Sequence, residues 1–375
     1  MNETPLDSKL RSILTKQLGN KKIFNAILAV QSGDKALDCS GAVGYLDHNG
    51  RIEMRADSPF FIASITKMYT AAVVMHLHEK SLLNLDNKIC HYLPASLIDG
   101  IHNFKGVDYV NELTIVQLLN QTSGLADYFE NKQRNGYSVL DKLIRHGDYG
   151  FNINDVMSIV GTELNPKFIP GIGKKAHYSD TNYQLLGAII ESVTNKPLED
   201  VYDDIIFTPL ELTNTYLFNT YSKDKKPQPA QMYYGNKPMY LPKTMSFFRA
   251  DGGIVSNAQE SIVFIRAFLN GILFPEHYLK EMQQWRRIFF PLEYGYGLMR
   301  FKLPRIFSPL RPSPELIGHS GASASFLFYC PDKDIYMAGT LNQIKERSRP
   351  FRLILDIVHQ VKRISFYPPQ PNGAL

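Results

Sequence analysis

The chain has 375 residues, of which 44% are hydrophobic, and this is enough apolar material for a buried core. Its formal net charge at pH 7 is +5, but the basic residues are scattered, which argues against a nucleic-acid or membrane-surface partner. The three cysteines are far apart and form neither a CxxC pair nor a disulfide framework. The composition therefore predicts a globular protein suited to a reducing compartment.

The N-terminal region predicts a helix over residues 6–18, followed by a β-hairpin over 23–47 whose turn is "SGDK". The first residues are acidic and lack the basic start and apolar core of a secretion signal. No apolar run reaches the ~20 residues that a membrane helix needs. We therefore expect a cytoplasmic location, or a periplasmic or secreted one if a leader has been removed.

The middle of the chain, from Ser64 to about residue 210, has apolar residues at three- and four-residue spacing and predicts mainly helices. Beyond it, the pattern predicts a hairpin over 230–242 and a helix capped by Asn257 and stopped by Gly271. Three strands and a last helix complete the prediction: "YGYGLMRF", "ASFLFYC", "DIYMAGTL" and "PFRLILDIVHQVKRI".

A serine and a lysine stand three residues apart in "FFIASITKMYTAAVV". On a helix, Ser64 and Lys67 would lie side by side, and a serine becomes a nucleophile when an adjacent base takes its proton. Partial burial lowers the pKa of a lysine, as a base near neutrality requires. The alternative is a helix N-terminus with a snorkelling lysine. The similar pairs Ser32–Lys35 and Ser222–Lys225 lie in polar stretches and are set aside.

Two further segments can supply a proton relay and donors for a negative oxygen, which acyl transfer also needs. In "PGIGKKAHYSDTNYQLLG", Tyr178 precedes a predicted helix that Asp180 or Thr181 caps. In "IGHSGASASF", His319 lies in a small-residue turn that enters a strand, where it is able to carry or share a positive charge. A plain turn with an exposed histidine is the alternative for this second segment.

Six blocks of sequence carry a resemblance to a known family: "FFIASITKMYTAAVVMHLHEKSLLNLDNKICHYLP", "LTIVQLLNQTSGL", "FIPGIGKKAHYSDTNYQLLG", "DGGIVSN", "YGYGL" and "GHSGAS". In their order along the chain and in their residues, these blocks resemble those of the serine β-lactamase-related hydrolases. That group includes class C β-lactamases, penicillin-binding D-alanyl-D-alanine carboxypeptidases and family VIII-type carboxylesterases. The resemblance covers about residues 22–365.

The resemblance implies an α/β fold of the α+β type, the β-lactamase/transpeptidase-like fold, in which helices flank an antiparallel sheet. Strand patterns at both ends of the chain predict a discontinuous sheet domain, residues 1–60 and 220–375. A mainly helical domain, residues 61–219, would be inserted and would carry Ser64 at the interface. The resemblance implies no cofactor and no metal, and the two-residue spacing of His76 and His78 on a predicted helix does not suit a shared metal.

The resemblance also implies roles for individual residues. Ser64 would be the acylated nucleophile, Lys67 its activating partner, and Tyr178 the shuttle for a proton to and from the leaving group. The backbone N–H groups of Ser64 and Ala322 would form the oxyanion hole. A third motif, where many relatives have Lys-Thr-Gly and some peptidases and esterases have His-x-Gly, would be formed by His319, Ser320 and Gly321.

Asp180 stands where most relatives have asparagine. Asparagine both donates and accepts hydrogen bonds, whereas an ionised aspartate only accepts. If Asp180 faces the site, its charge favours a protonated Lys67, which weakens this lysine as a base and leaves more of the proton transfer to Tyr178. The alternative is that Asp180 turns away and caps the helix over 181–194.

A histidine in the third motif gives a site that is not permanently cationic. Recognition of a substrate carboxylate would then be weaker unless an arginine helps, and three are candidates: Arg249, Arg347 and Arg349. Substrate contacts are expected from Asp180, Ser320 and Gly321. The aromatic pairs at 233–234, 247–248 and 289–290 are candidates for the lining of an acyl pocket.

The sequence therefore predicts a serine hydrolase that acts through an acyl-enzyme at Ser64 on an ester, amide or lactam carbonyl, with esterase-like activity expected. The first alternative is a penicillin-binding D-alanyl-D-alanine carboxypeptidase or a β-lactamase. The second, from another class, is a catalytically silent ligand-binding protein on the same scaffold. The expected partner is a small-molecule or short-peptide substrate.

Overall fold

The computed structural model describes residues 5–19, 22–221, 226–307 and 313–364. The Ser222–Lys225 pair lies outside these ranges. The strands are β1 (Asn25–Ser32), β2 (Asp38–Gly44), β3 (Phe60–Phe61), β4 (Asn103–Phe104), β5 (Val107–Asp108), β6 (Tyr216–Leu217), β7 (Met232–Tyr234), β8 (Lys237–Met239), β9 (Ile254–Ser256), β10 (Arg286–Phe289), β11 (Leu292–Tyr294), β12 (Met299–Phe301), β13 (Leu316–Ser320), β14 (Ser325–Cys330) and β15 (Ile335–Thr340). The helices are α1 (Pro5–Leu18), α2 (Thr66–Glu79), α3 (Ala95–Ile98), α4 (Ile115–Leu119), α5 (Val139–His146), α6 (Ile153–Ser158), α7 (Asp180–Thr194), α8 (Leu198–Tyr202), α9 (Pro242–Phe247), α10 (Arg249–Gly252), α11 (Ala258–Leu269), α12 (Leu279–Met282) and α13 (Arg349–Ile364).

Eight strands form one antiparallel sheet in the order β10-β11-β12-β13-β14-β15-β1-β2. The central pairing joins the two ends of the chain, since Ile27 of β1 lies opposite Thr340 of β15. Helices α1 and α11 pack against β1, and α11 also contacts β14 and β15. The predicted fold class, an antiparallel sheet flanked by helices, is therefore confirmed.

Helix α2 passes through the centre of the helical part, and eleven of its fourteen residues are buried. A helix that is apolar on every side needs partners on every side. Helices α7, α8 and α10 pack against α2, and the sheet approaches its N-terminal end through β13 and β14. The start of α2 is thus held where the helices and the large sheet meet.

Several predicted elements are confirmed and others are corrected. The hairpin β7–β8 and the capping of α11 by Asn257 are present as predicted, and α1 spans nearly the expected residues. Strands β10 and β11 were not predicted, and "YGYGLMRF" is split between β11 and β12 by a turn at Gly297, which has a φ of +71°. The division into two domains stays a prediction.

Across the four described ranges, no helix has the length and apolar character needed to cross a bilayer.

Candidate active site

Ser64 lies in a short 3-10 turn, Ala63–Ile65, between β3 and α2. Ala63 has a φ of +49°, a left-handed conformation that residues other than glycine rarely adopt. Such conformations persist where the surrounding structure imposes them, and they cluster at functional sites. The turn directs the Ser64 side chain towards Lys67 at the beginning of α2.

Lys67 is fully buried, and its ammonium contacts three oxygens. The Nζ atom lies 3.3 Å from Ser64 Oγ, 2.7 Å from Asp180 Oδ1 and 2.6 Å from the backbone oxygen of Asp251. It also lies 5.3 Å from the centre of the Tyr178 ring. The predicted meeting of the Ser64 hydroxyl and the Lys67 amine is therefore present.

The charge of Lys67 differs from the expectation based on burial alone. Burial lowers the pKa of this ammonium, but the charges of Asp180, Tyr178 and Asp251 raise it, and the net pKa lies above the ordinary lysine value. Lys67 is therefore protonated at neutral pH. The prediction that burial makes it a free base is wrong, because a carboxylate lies in direct contact.

Asp180 is the first residue of α7, whose N-cap is Ser179. Its carboxylate points to Lys67, so the alternative in which Asp180 turns away to cap the helix is wrong. Thr181 is not the cap either, since its hydroxyl donates to the Ala126 carbonyl oxygen at 2.7 Å. The Asp180 N–H donates to the Asp127 carboxylate at 2.9 Å. Burial and the charge of Asp180 raise the pKa of Asp127 to about 8.

Tyr178 precedes α7 and interacts with both Ser64 and Lys67. Burial raises the pKa of this phenol; the Lys67 charge opposes the shift without cancelling it. Tyr178 is therefore protonated at neutral pH. Its ring centre lies 5.6 Å from that of Tyr294 and 6.3 Å from that of His319.

His319 is fully buried on strand β13, so the prediction of a turn at this position is wrong. Its Nδ1 atom lies 2.7 Å from the Ser320 carbonyl oxygen and therefore carries the proton, while Nε2 lies 3.3 Å from the Tyr294 hydroxyl. Burial and the nearby Lys67 charge lower the pKa of His319 to about 3. The imidazole is neutral, which agrees with the expectation of a site that is not permanently cationic.

The turn after β13 packs directly on the turn that holds Ser64. The Ser325 hydroxyl donates to the Ile62 carbonyl oxygen at 2.8 Å. A Cβ atom at Gly321 would lie 2.7 Å from that same oxygen and 2.9 Å from the Ala63 Cβ, so only glycine permits this approach. The next residue, Ala322, lines the same cleft as Ser64, and its N–H has no acceptor among the described residues.

The cleft beside Ser64 has a volume of about 60 Å³. Asp180, Asp251 and Ala322 lie along it. The rest of its wall is mostly apolar and is built from Phe129, Leu140, Leu143, Met232, Met239, Leu241, Met245, Phe248 and Ile344.

Of the aromatic pairs that were candidates for this wall, only Phe248 contributes. Phe247 packs against Phe151 in the core, Tyr233 stacks on Phe24, and Phe289 is 53% exposed on β10. These positions follow from packing that the sequence pattern does not resolve.

The three arginines considered for carboxylate binding are all engaged elsewhere. Arg249 pairs with Glu191, with an N–O distance of 3.0 Å, and Arg349 donates to Gln17. Arg347 lies closer to the cleft, where it pairs with Glu130 and donates to the carbonyl oxygen of the cleft residue Ile344.

Two contributors to the site were not recognised from sequence. Asp251 supplies a backbone oxygen to Lys67, while its carboxylate accepts from Tyr128 at 2.8 Å and Gln184 at 3.0 Å. Tyr294 connects His319 to the cluster. Both stand in blocks that carried the resemblance, "DGGIVSN" and "YGYGL", but nothing in those letters indicates the contacts.

No set of three or more His, Cys, Asp or Glu side chains suited to a metal occurs within the described ranges.

A family model described as "Beta-lactamase" matches residues 10–359. The chain belongs to the beta-lactamase family. Among the curated relatives, Penicillin-binding protein 4* of Bacillus subtilis (strain 168) is 29% identical over 215 residues, which are 55% of this chain and 41% of that protein. The chain spans less than two thirds of the length of the curated relatives that it matches.

Solved structures of similar proteins agree with this family. A D-stereospecific amidohydrolase from Streptomyces sp. is 25% identical, with a TM-score of 0.72 over 92% of this chain and 97% of that one. An octameric penicillin-binding protein homologue from Pyrococcus abyssi has a TM-score of 0.75 at 22% identity, over 96% of this chain and 78% of that one. The second likeness shows the fold alone.

Proposed function

We propose that this member of the family hydrolyses an ester or amide through an acyl-enzyme at Ser64. The observation that carries the proposal is the contact of Lys67 Nζ with Ser64 Oγ, 3.3 Å, at the wall of an accessible cleft. A serine attacks a carbonyl carbon when an adjacent group takes its proton, and the protonated Lys67 does so only as it passes a proton to Asp180. The family is one of serine hydrolases, and the parts that we infer are the role of Ser64 and the substrate class.

The Ser64 proton leaves through Lys67 to Asp180. Lys67 already carries a proton, so it accepts one from Ser64 Oγ while it gives one to Asp180 Oδ1 at 2.7 Å. The Lys67–Asp180 pair has no net charge before this step and a charge of +1 after it. The negative charge meanwhile moves to the carbonyl oxygen of the substrate, so charge and protons balance.

Tyr178 supplies the proton for the leaving group. Its phenol stays protonated because burial raises its pKa, and it interacts with both Ser64 and Lys67. As the bond from the carbonyl carbon to the leaving atom breaks, the phenol gives its proton to that atom and takes another from Lys67. Water then enters and loses its proton along the same path in reverse, which frees Ser64.

The negative oxygen of the intermediate is held by the N–H groups of Ser64 and Ala322. Backbone donors fixed before the reaction stabilise developing charge without reorganising. The close packing of Gly321 on Ala63 brings the two turns together, and the free N–H of Ala322 supports this role.

An ester or amide fits this cleft better than a substrate that must be held by its carboxylate. His319 is neutral, since its pKa is lowered to about 3, and Arg347 is paired with Glu130. Lys67 is fully buried and is already bonded to two other oxygens besides Ser64. The similarity to a D-stereospecific amidohydrolase from Streptomyces sp. supports an amide or ester substrate.

The names of two curated penicillin-binding relatives from Bacillus subtilis favour a second candidate, a penicillin-binding peptidase. Incubation with nitrophenyl butyrate and, separately, with a penicillin distinguishes the two candidates. We expect steady release of nitrophenol and no lasting penicillin adduct, and we expect Ser64→Ala to abolish the release. A long-lived penicillin adduct without ester turnover would favour the peptidase. No reaction with either compound would favour the silent ligand-binding protein.

A further inference from the structure

We propose that the acyl group of the substrate is a linear fatty chain, longer than a butyryl group, that passes from the catalytic cleft into a second cavity beside the hairpin β7–β8. The natural substrates would then be esters or amides of medium-chain fatty acids. This inference rests on the hydrolase function proposed above and names its substrate class.

The second cavity, which we call the side chamber, adjoins the cleft. Its volume is about 540 Å³, whereas the cleft beside Ser64 has only about 60 Å³. Cavities that bind small molecules measure about 300–1,000 Å³, so the side chamber has the size of a ligand site and the cleft alone does not. Three residues line both cavities and form the boundary between them: Met232, Met239 and Leu241.

The boundary combines a fixed backbone with adaptable side chains. Met232 of β7 lies opposite Met239 of β8. The Gln231 side chain holds this pair, since its amide donates to the carbonyl oxygens of Met232 at 2.9 Å and Met239 at 2.8 Å. The Gln231 N–H donates to the Leu46 carbonyl oxygen at 2.8 Å, which anchors the hairpin. Methionine side chains are unbranched and rotate freely, so they can open a passage while the backbone stays in place.

The position of the catalytic groups decides which part of the substrate enters the cleft. Ser64, Asp180 and Ala322 line the cleft, whereas Tyr178 is not among the described residues that line it. In the mechanism proposed above, Tyr178 gives a proton to the leaving group, so the leaving group lies on the Tyr178 side of Ser64. The acyl group therefore extends into the cleft, towards the side chamber.

The side chamber suits an uncharged chain. Its base is buried and mostly apolar, with Phe61, Tyr216 and Leu217 beside the boundary residues. The Tyr216 hydroxyl already donates to the Pro227 carbonyl oxygen, so it needs no polar group from a ligand. The exposed rim is polar and is built from Asn219, Thr220, Lys226 and Gln228. Burial of an apolar chain at this base is favourable because it removes the chain from water.

The test compares nitrophenyl acetate, butyrate, hexanoate and octanoate on the unmutated enzyme, each below the concentration at which the ester forms micelles. The leaving group is the same in all four esters, so differences in kcat/KM report on the acyl chain. Each CH₂ group moved fully out of water is worth about fourfold. We expect kcat/KM to be about 10- to 100-fold higher for octanoate than for butyrate, because the longer chain is only partly removed from water.

Three variants refine the test. Leu217→Trp fills the side chamber from β6, and Leu217 does not line the cleft, so the octanoate-to-butyrate ratio of kcat/KM should fall to about onefold. Ala230→Leu fills the chamber from the start of the hairpin with a smaller change and should lower the same ratio. Leu82→Trp is the matched control: Leu82 is 55% exposed and lines neither cavity, so we expect the ratio to persist. Urea unfolding shows which variants are folded.

A kcat/KM for octanoate that is no higher than for butyrate in the unmutated enzyme would overturn this inference alone, since the shorter esters would still report the hydrolase. Retention of the full preference in a folded Leu217→Trp or Ala230→Leu variant would also overturn it, because the chain would then bind elsewhere. Failure of all four esters to release nitrophenol, together with failure to acylate Ser64, would instead overturn the proposed function and this inference with it.

Discussion

Replacing Lys67 by methionine is expected to destabilise the protein by about 3 kcal/mol and to abolish acylation. The ammonium is fully buried and lies 2.7 Å from Asp180 Oδ1 and 2.6 Å from the Asp251 carbonyl oxygen. Removing one partner of a buried pair costs about 3–5 kcal/mol, because the remaining charge is left without compensation. The lower end applies here, since the Asp180 side chain keeps 14% of its surface exposed.

The double variant Lys67→Met, Asp180→Asn carries the decisive comparison. It has no uncompensated carboxylate, so we expect it to be more stable than Lys67→Met alone by at least about 1 kcal/mol. The assay is urea unfolding at pH 7 followed by the fluorescence of Trp285, the only tryptophan.

A surface pair of similar length provides the control. Lys88 and Glu112 lie 2.6 Å apart, with side chains that are 35% and 64% exposed, and Lys88→Met should cost about 1 kcal/mol or less. Two results would contradict a buried ion pair between Lys67 and Asp180. In the first, the changes in the free energy of unfolding caused by Lys67→Met and Asp180→Asn simply add in the double variant. In the second, Lys67→Met lowers the free energy of unfolding by no more than Lys88→Met does.

Two further predictions follow from the environment of the site. As the pH falls below about 6.5, His319 becomes protonated in the unfolded chain but not in the folded protein, where its pKa is about 3, so the free energy of unfolding falls. The variant His319→Gln lacks this effect. Between pH 7 and pH 5, its free energy of unfolding in urea should therefore fall by about 2 kcal/mol less than that of the parent. An identical loss in both proteins would show that His319 is not held neutral. Gly321→Ala places a Cβ atom 2.7 Å from the Ile62 carbonyl oxygen, which pushes the turn after β13 away from Ser64. This displacement should reduce kcat for ester hydrolysis by at least about 100-fold, as the loss of an oxyanion donor does. The far-UV circular dichroism should stay unchanged. Full activity in this variant would remove the turn after β13 from the oxyanion hole.

Contacts between neighbours in the chain were open to prediction from sequence. The three-residue spacing of Ser64 and Lys67 places them together on any helix that begins there. The alternating and apolar sequence patterns of β1, β2, β14 and β15 were long enough to predict these strands. The family resemblance added Tyr178, which spacing alone does not identify.

Properties set by distant partners were not open to prediction. The direction of the Lys67 pKa depends on the Asp180 carboxylate and on the backbone of Asp251, far along the chain. The sequence left His319 able to carry or share a positive charge, because its burial depends on the packing of the whole sheet. Strands β10 and β11 have only four and three residues, too few to show a period.

The most direct test of the central claim is the mass of the intact protein after brief exposure to a fluorophosphonate, followed by peptide mapping. We expect one adduct, on Ser64. The Ser64→Ala variant should form no adduct, while its urea unfolding stays close to that of the parent. An adduct on another residue, or no adduct on folded protein that still hydrolyses nitrophenyl butyrate, would contradict the claim that Ser64 is the nucleophile.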